Sequence, residues 1–183
     1  MKLFICGHAR SGKDTAAEII RECTGLQFKS SSMLSLEIFM FENLRTKHGL
    51  HYSSMQDAFD DRFNHRDIWY QEISEYNVGC RQRLSKKIFE IADVYVGIRD
   101  RDEFLASKCL SDLAIWIDAG ERIKDSSESG YADKLVRATD CDVVVDNSGC
   151  ELEFKYKLQR LCRSFAKLNY EQRGNHGGYK ATN

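Results

Sequence analysis

The sequence predicts an α/β fold in which helices cover both faces of a parallel sheet. Five short apolar runs rich in β-branched or aromatic residues indicate strands, at residues 3–6, 26–29, 94–98, 113–117 and 143–145. Segments with the apolar spacing of helices separate most of these runs. Because strands that alternate with helices form parallel sheets covered on both sides, this order predicts an α/β architecture.

Two of the predicted helices have a clear apolar face, the first after the first strand and the last after the fifth. The first begins near Gly12 and ends near Cys23, and its buried face consists of Ala16, Ile19, Ile20 and Cys23. The last covers about residues 150–167. Its apolar residues recur at intervals of four and three along one face: Phe154, Leu158, Leu161, Phe165 and Leu168.

Length and composition indicate a single globular domain. The chain has 183 residues, of which 42% are hydrophobic and 30% are charged, and this composition excludes wholesale disorder. The net charge of −1 does not favour a uniformly basic protein that coats DNA, although it is compatible with a local basic groove.

Composition also bears on the compartment. No run of 18 apolar residues occurs, so we expect no membrane-spanning helix, and the first apolar run is too short for a signal peptide. The seven cysteines include no Cys-x-x-Cys pair, which is typical of small buried thiols in a reducing compartment. We therefore expect a cytoplasmic protein, in the host cytoplasm if a phage encodes it.

The predicted strands belong to one domain that carries a helical insert and a flap. We expect one domain over residues 1–172, with a helical insert at about 30–92, where helices are predicted at 35–48, 66–77 and 81–91. The polar composition of residues 118–141 is typical of a mobile flap. Residues 173–183 show no apolar pattern, and we expect a flexible tail there.

A phosphate-binding loop follows the first strand. The segment Gly7-His8-Ala9-Arg10-Ser11-Gly12-Lys13-Asp14-Thr15 satisfies the pattern G-x-x-x-x-G-K, and it lies between a predicted strand and an amphipathic helix. The two glycines let successive N–H groups face one anion, and the helix adds the positive end of its dipole. Lys13 supplies a charge for the outer phosphates. These residues predict a nucleotide-phosphate site.

Two positions in this loop leave alternatives open. Where Ser or Thr normally holds Mg²⁺, the chain has Asp14, followed by Thr15. A carboxylate can meet the metal directly or through water, so Asp14 is the predicted metal ligand. Arg10 lies inside the loop and can either reach the transferring phosphoryl group or pair with an acid outside the loop.

The segment GHARSGKDT resembles the phage deoxynucleotide-kinase branch of the P-loop kinases. Two further segments are similar to that branch: VYVGIR at residues 94–99, with acids at 102 and 103, and DVVVDNSG at residues 142–149. The block DDRFNHR at residues 60–66 resembles a sub-branch associated with thymine-hypermodifying phages. Members of that sub-branch, the 5-hydroxymethyluracil DNA kinases, phosphorylate the hydroxymethyl group of the base within DNA.

The resemblance implies a three-layer P-loop kinase fold. The implied sheet has five parallel strands in the order 2-3-1-4-5, which agrees with the number of strands predicted from the apolar runs. The resemblance also implies ATP and Mg²⁺ as cofactors, and a flap that closes over the phosphates.

The insert carries the candidate residues for the acceptor. Arg62 and Arg66 can grip an acceptor phosphate, Trp69 can stack on a base, and His65 lies on a neighbouring face of the same predicted helix. The alternative is that Trp69 packs in the core while the charged residues cap the helix and form surface pairs.

The chemistry of the acceptor decides whether a general base is needed. A monophosphate is already an anionic nucleophile and needs arginines alone, whereas a hydroxyl gains from a carboxylate that takes its proton. Asp61, beside Asp60, is the predicted base, and this slightly favours a hydroxyl acceptor. Either carboxylate can instead cap the helix or orient Arg62. A DNA acceptor needs cations along its path, for which the residues available are Arg81, Arg83, Lys86 and Lys87. The alternative, which the pattern favours, is that these four residues form a solvated helix face.

Other residues are assigned by their place after the strands. Arg99 ends the third strand and points to phosphate or acceptor contact, Asn147 follows the fifth strand beside the adenine, and His8 lies in the loop. Ser30, Ser31 and Ser32 follow the second strand and can donate to the acceptor. In the flap, Arg122 and Lys124 can neutralise the transition state on closure.

Together, the residues and the resemblance predict an ATP-dependent kinase whose catalytic residues are Lys13, Asp61, Arg10 and Arg99. The acceptor that the resemblance implies is the hydroxymethyl group of 5-hydroxymethyluracil in phage DNA. The alternative within the same class is a deoxynucleoside monophosphate kinase that makes a diphosphate. An alternative of another class is a nucleotide-binding module without turnover, which Asp14 in place of Ser or Thr supports.

Overall fold

The sheet has the predicted number, direction and order of strands. In the computed structural model, which describes residues 1–122 and 134–174, the strands are β1 Leu3–Cys6, β2 Phe28–Ser30, β3 Val94–Val96, β4 Leu113–Asp118 and β5 Val143–Asp146. All neighbours pair in parallel in the order β2-β3-β1-β4-β5. The central strand β1 therefore delivers the phosphate loop to the middle of the carboxyl edge of the sheet.

Alternating side chains of β1 face two separate apolar cores. Leu3 and Ile5 pack with helices α1 Lys13–Thr24 and α8 Glu151–Gly174 on one side of the sheet. Phe4 and Cys6 pack with helices α6 Arg83–Ile91 and α7 Arg101–Ser107 on the other side. The period of two along a strand thus produces the three layers.

The insert between β2 and β3 is helical, as predicted, but its elements are shorter and more numerous. It contains α2 Ser31–Ser35, a π-helical turn Leu36–Met40, α3 Phe41–Thr46, α4 Met55–Asp61 and α5 Arg66–Tyr76, and it ends with α6. The helix predicted at 35–48 is therefore wrong in its bounds. Helix α4 was not predicted, and the capping bond from the Asp57 N–H to the Ser54 hydroxyl oxygen (3.1 Å) defines its start. These helices build a third apolar cluster.

The last helix is longer than predicted, and parts of the predicted tail and flap lie outside the described residues. Helix α8 continues to residue 174, past the predicted end at 167, so the first two residues of the predicted tail are helical. Residues 175–183 of that tail lie outside the described residues, as do residues 123–133 of the predicted flap. Among the described residues of the flap, Leu135 forms a backbone bridge with Asp100.

The thiols and the helices can each be compared with the sequence expectations. All seven thiols are free, as predicted. The expectation that they are buried is wrong for Cys23, Cys109 and Cys150, which are exposed. In the part of the chain that the structure describes, every helix is too short or too polar to cross a membrane.

Candidate phosphate loop and acceptor cavity

The phosphate loop connects β1 to α1 through backbone conformations that favour glycine. Gly7 and Gly12 have φ of 145° and 95°. A Cβ atom on Gly7 would lie 2.6 Å from the carbonyl oxygen of Ile117, and one on Gly12 would lie 2.5 Å from Nδ2 of Asn147. Both positions therefore disfavour larger residues, and the loop has the glycine-dependent curvature that is typical of phosphate-binding loops.

The loop is tied to the end of β5. The Asn147 side chain is buried, with 7% exposed, and its amide donates to the carbonyl oxygen of Ser11 (2.8 Å). The Ser11 hydroxyl is buried and has no hydrogen-bond partner in the described part of the chain. Asn147 thus supports the loop, and its predicted place beside adenine stays a prediction. The unpartnered hydroxyl and the N–H groups fit a phosphate.

Lys13 lies over this loop. Its ammonium group donates to the carbonyl oxygens of Gly7 (2.9 Å) and His8 (2.5 Å). These contacts hold one positive charge where the loop N–H groups and the N-terminus of α1 are also positive. The combination matches the distribution of negative charge in a triphosphate. The His8 ring meets the Trp116 ring edge-on (5.2 Å between centroids), and Ala9 is buried.

The first turn of α1 presents oxygen ligands for a metal ion. Asp14 and Thr15 are both exposed there. Among the described residues, no group of three or more His, Cys, Asp or Glu side chains could hold a metal. A Mg²⁺ ion bound to phosphates needs only one or two protein carboxylates, so Asp14 fits such an ion. Asp118 ends β4 beside the loop, where its carboxylate accepts from the Gly120 N–H (2.9 Å), and the sequence analysis missed it.

A cavity of about 70 Å³, which opens to solvent, lies beside the loop. Gly97 and Ser31 line this acceptor cavity. A Cβ atom on Gly97 would lie 3.6 Å from the Ser31 hydroxyl and 4.0 Å from Cε of Lys13. Since the Lys13 side chain passes this close to the wall, a ligand in the cavity would be a neighbour of the phosphates on the loop.

Three of the predicted arginines line this cavity: Arg62, Arg66 and Arg99. Arg62 is partly buried and donates to the carbonyl oxygen of Phe59 (2.6 Å). Burial lowers the pKa of Arg62, while the charges of Asp14 and Asp60 act in the opposite direction. This cluster of positive charge fits an anionic ligand.

Aromatic rings and serines complete the lining. The rings are those of Phe63, Trp69, Tyr70 and Tyr95, and the serines are Ser31, Ser32 and Ser74. Trp69 is only 5% exposed and packs in the apolar cluster of the insert. Its predicted stacking on a base is therefore not supported, and the half-exposed Phe63, with 37% exposed, is the better placed ring.

Asp61 does not line the cavity. Its carboxylate accepts from the Tyr52 hydroxyl (2.7 Å) and the Asn64 amide (2.6 Å), and it lies 3.1 Å from Nε2 of His65. The hydrogen bond from Tyr52 is the main reason that the pKa of Asp61 lies below its usual value. Asp61 and His65 therefore contact groups of the turn between α4 and α5, and the role of Asp61 as a base stays a prediction.

Two carboxyl groups that the sequence analysis did not single out as acceptor groups line the cavity instead. Asp100 accepts from the Tyr70 hydroxyl (2.8 Å) and, as the cap of α7, from the Glu103 N–H (2.8 Å). Glu103 is 2% exposed, and burial raises its pKa to about 7. The hydroxyls of Ser85 and Tyr95 lie 3.1 and 3.0 Å from its Oε1. The position of Asp100 directly after Arg99 was the available signal.

The remaining predicted residues lie in three places. Arg122 is exposed in a 3-10 turn, Gly120–Arg122, and Lys124 lies outside the described residues. Ser30 accepts from the Met33 N–H (3.2 Å) as the cap of α2. In the predicted basic stripe, Arg81 lies 3.8 Å from Asp102, Lys87 lies 3.2 Å from Glu90, and Arg83 donates to the carbonyls of Tyr76 and Val78.

Solved structures share this fold. A gluconokinase from Sinorhizobium meliloti 1021 is 15% identical, with a TM-score of 0.54 over 93% of this chain and 96% of that chain. A shikimate kinase from Bacteroides thetaiotaomicron is 10% identical, with a TM-score of 0.53 over 91% and 98%. A dephospho-CoA kinase from Campylobacter jejuni is 16% identical, with a TM-score of 0.52 over 92% and 100%.

These similarities show the P-loop kinase fold, with its five parallel strands, and at these identities they show the fold alone. No family model matches the sequence, and no curated protein matches it either.

Proposed function

We propose that the protein is an ATP-dependent kinase that transfers the γ-phosphoryl group to a deoxynucleotide-type acceptor. The observation that carries this proposal is the contact between two sites, a phosphate loop with Lys13 and a cavity lined by three arginines. A phosphate donor on the loop and an anionic acceptor in the cavity would be neighbours, which is the arrangement that in-line phosphoryl transfer requires.

The loop would act on the donor. Its N–H groups and Lys13 would bind the β- and γ-phosphates and stabilise the charge that develops during transfer. Asp14 would hold Mg²⁺, which supplies further neutralisation of that charge. Arg10 lies inside the loop, and its guanidinium carbon is 5.3 Å from the centroid of the Phe63 ring, so it joins the donor site to the cavity.

The acceptor that we favour is the hydroxymethyl group of 5-hydroxymethyluracil in DNA. Residues 60–66, which resemble the 5-hydroxymethyluracil DNA kinases, and residues 94–99, which resemble the wider phage deoxynucleotide-kinase branch, both contribute to the wall of one cavity, through Arg62, Arg66 and Arg99. Phe63 and Tyr70 offer faces for a base, and the arginines fit the phosphates of the flanking backbone.

A hydroxyl acceptor needs a base, and we assign this role to Asp100 in place of Asp61. The hydroxyl proton would pass to the Asp100 carboxylate while the hydroxyl oxygen forms a bond to the γ-phosphorus. The bond from that phosphorus to its bridging oxygen breaks, and its electron pair leaves with ADP. Tyr70 donates to Asp100 (2.8 Å) and fixes the orientation of its carboxylate.

The second candidate acceptor is a free deoxynucleoside monophosphate. Two observations favour it: three arginines line one cavity, and three residues of the basic stripe already contact other groups of this chain. A monophosphate supplies its own anionic nucleophile, so this reaction would not depend on Asp100.

Labelled ATP separates these proposals. The protein is incubated with γ-³²P-ATP and Mg²⁺ in parallel with duplex DNA containing 5-hydroxymethyluracil, the same duplex with thymine, and each free deoxynucleoside monophosphate. We expect label in the hydroxymethyluracil duplex alone. Label in a diphosphate would replace this acceptor with the second candidate. ATP binding without transfer to any acceptor would contradict the kinase and favour the module without turnover.

A further inference from the structure

Phe63 stands between the donor site and the acceptor site. It lies in the turn that joins α4 to α5, and its ring lines the acceptor cavity. Three guanidinium carbons lie close to the centroid of this ring: Arg62 at 4.2 Å, Arg10 at 5.3 Å and Arg66 at 5.3 Å. Arg10 belongs to the phosphate loop, whereas the other two belong to the insert.

These distances lie within the range of cation–π attraction, which extends to about 6 Å from a ring centroid. The negative faces of an aromatic ring attract guanidinium groups, and Arg stacks on such rings more readily than Lys does. The ring therefore offsets part of the repulsion between like charges gathered at one place. An aliphatic side chain of similar size would fill the same space without this attraction.

We propose that Phe63 is a positioning residue that couples the phosphate loop to the acceptor cavity through the guanidinium groups of Arg10, Arg62 and Arg66. This proposal rests on the proposed kinase function. In it, the ring holds Arg10 towards the transferring phosphoryl group and the two insert arginines towards the acceptor. Removal of the aromatic face would take away a contact that the three groups share. Arg62 would keep its contacts with the carbonyl oxygen (2.6 Å) and the ring (3.7 Å) of Phe59, but this link from Arg10 to the insert would be lost, and both substrates would lose oriented contacts.

A purely structural role for Phe63 predicts a different pattern of variants. The ring is 37% exposed, so it buries less apolar surface than a core phenylalanine. If that surface were its whole contribution, leucine would replace it with little effect on catalysis. If the aromatic face matters, tyrosine retains the function and leucine does not.

The experiment compares Phe63→Leu and Phe63→Tyr with the wild-type protein. A matched control is Phe39→Leu, because Phe39 also lies in the insert but stacks on Tyr76 (4.4 Å between centroids) and does not line the cavity. The measurements are kcat, the KM for each substrate, and the affinity for the non-hydrolysable analogue AMP-PNP by calorimetry.

We expect Phe63→Leu to lower kcat by roughly 10-fold or more and to weaken AMP-PNP binding by roughly 3-fold or more, since several cation–π contacts are lost together. Phe63→Tyr and the Phe39→Leu control should stay within about 2-fold of wild type. Values of Phe63→Leu within that same range would overturn the proposal, and so would equal losses in both Phe63 variants. If the wild-type protein transfers phosphate to no acceptor, the kinase is contradicted, and the AMP-PNP affinities alone decide the role of Phe63.

Discussion

Replacement of Glu103 by Gln should make the protein more stable at neutral and alkaline pH. Glu103 is 2% exposed, and burial raises its pKa from 4.5 to about 7. A carboxyl group with this shift binds its proton more tightly in the folded state. The free energy of unfolding therefore falls as pH rises through this interval, and it stays lower above it. Gln carries no charge and keeps polar atoms for the neighbouring hydroxyls of Ser85 and Tyr95.

The size of the effect follows from the two pKa values. As pH rises through both pKa values, the free energy of unfolding of the wild-type protein falls by about 3 kcal/mol in total. About 2.5 kcal/mol of this decrease occurs between pH 5 and pH 8. For a chain of this length, the Tm difference between the Gln variant and wild type should grow by about 5–10 °C over that interval.

The assay is thermal and urea unfolding of both proteins at pH 5, 6, 7 and 8. A matched control is Glu90→Gln, because Glu90 is exposed on α6 and pairs with Lys87 (3.2 Å, with 60% of the glutamate side chain exposed). This control should follow the wild-type dependence on pH. If the plots of unfolding free energy against pH for Glu103→Gln and wild type stay parallel within about 0.5 kcal/mol, the buried carboxyl does not titrate as the structure indicates.

Three further substitutions test the reaction. Lys13→Ala should abolish transfer of the label while the thermal transition is preserved, because the lysine side chain is partly exposed and its ammonium group donates to loop carbonyls (2.9 Å to Gly7). A variant that retains turnover contradicts the role of this lysine. Asp100→Asn should lower kcat by roughly 10²–10⁴-fold, because Asn cannot act as a base. The Tm should not change, since Asn caps helices as well as Asp does. A smaller loss of kcat in steady-state assays would mean that Asp100 only caps α7. Asp61→Ala should lower the Tm and cost less than about 10-fold in kcat, and a larger loss in kcat would restore Asp61 as the base.

The strands and the loop could be predicted because their signals are local. The run at residues 3–6 coincides with β1, and the glycines and Lys13 follow it in a fixed pattern. The bounds of the insert helices could not be predicted in the same way. The chain from Ser31 to Thr46 passes through a π-helical turn, and Ser54 starts a seven-residue helix, so tertiary packing sets these bounds.

The acceptor site was predictable only in part. Arg62, Arg66 and Arg99 line one cavity, and their role in binding an acceptor stays a prediction. The choice of carboxylate was not predictable, because Asp61 and Asp100 each stand beside an arginine in sequence. The two carboxylates differ in their hydrogen-bond partners and therefore in their location. Asp61 accepts from Tyr52 and Asn64 at the turn, whereas Asp100 accepts from Tyr70 in the cavity wall.

A crystal structure of the protein with Mg²⁺ and AMP-PNP tests the central claim most directly. The account predicts the β- and γ-phosphates among the N–H groups of residues 8–13, with the Lys13 ammonium group moved from the carbonyls of Gly7 and His8 to a phosphate oxygen. A nucleotide bound elsewhere, or a Lys13 ammonium group that keeps its present contacts beside the bound triphosphate, would contradict it.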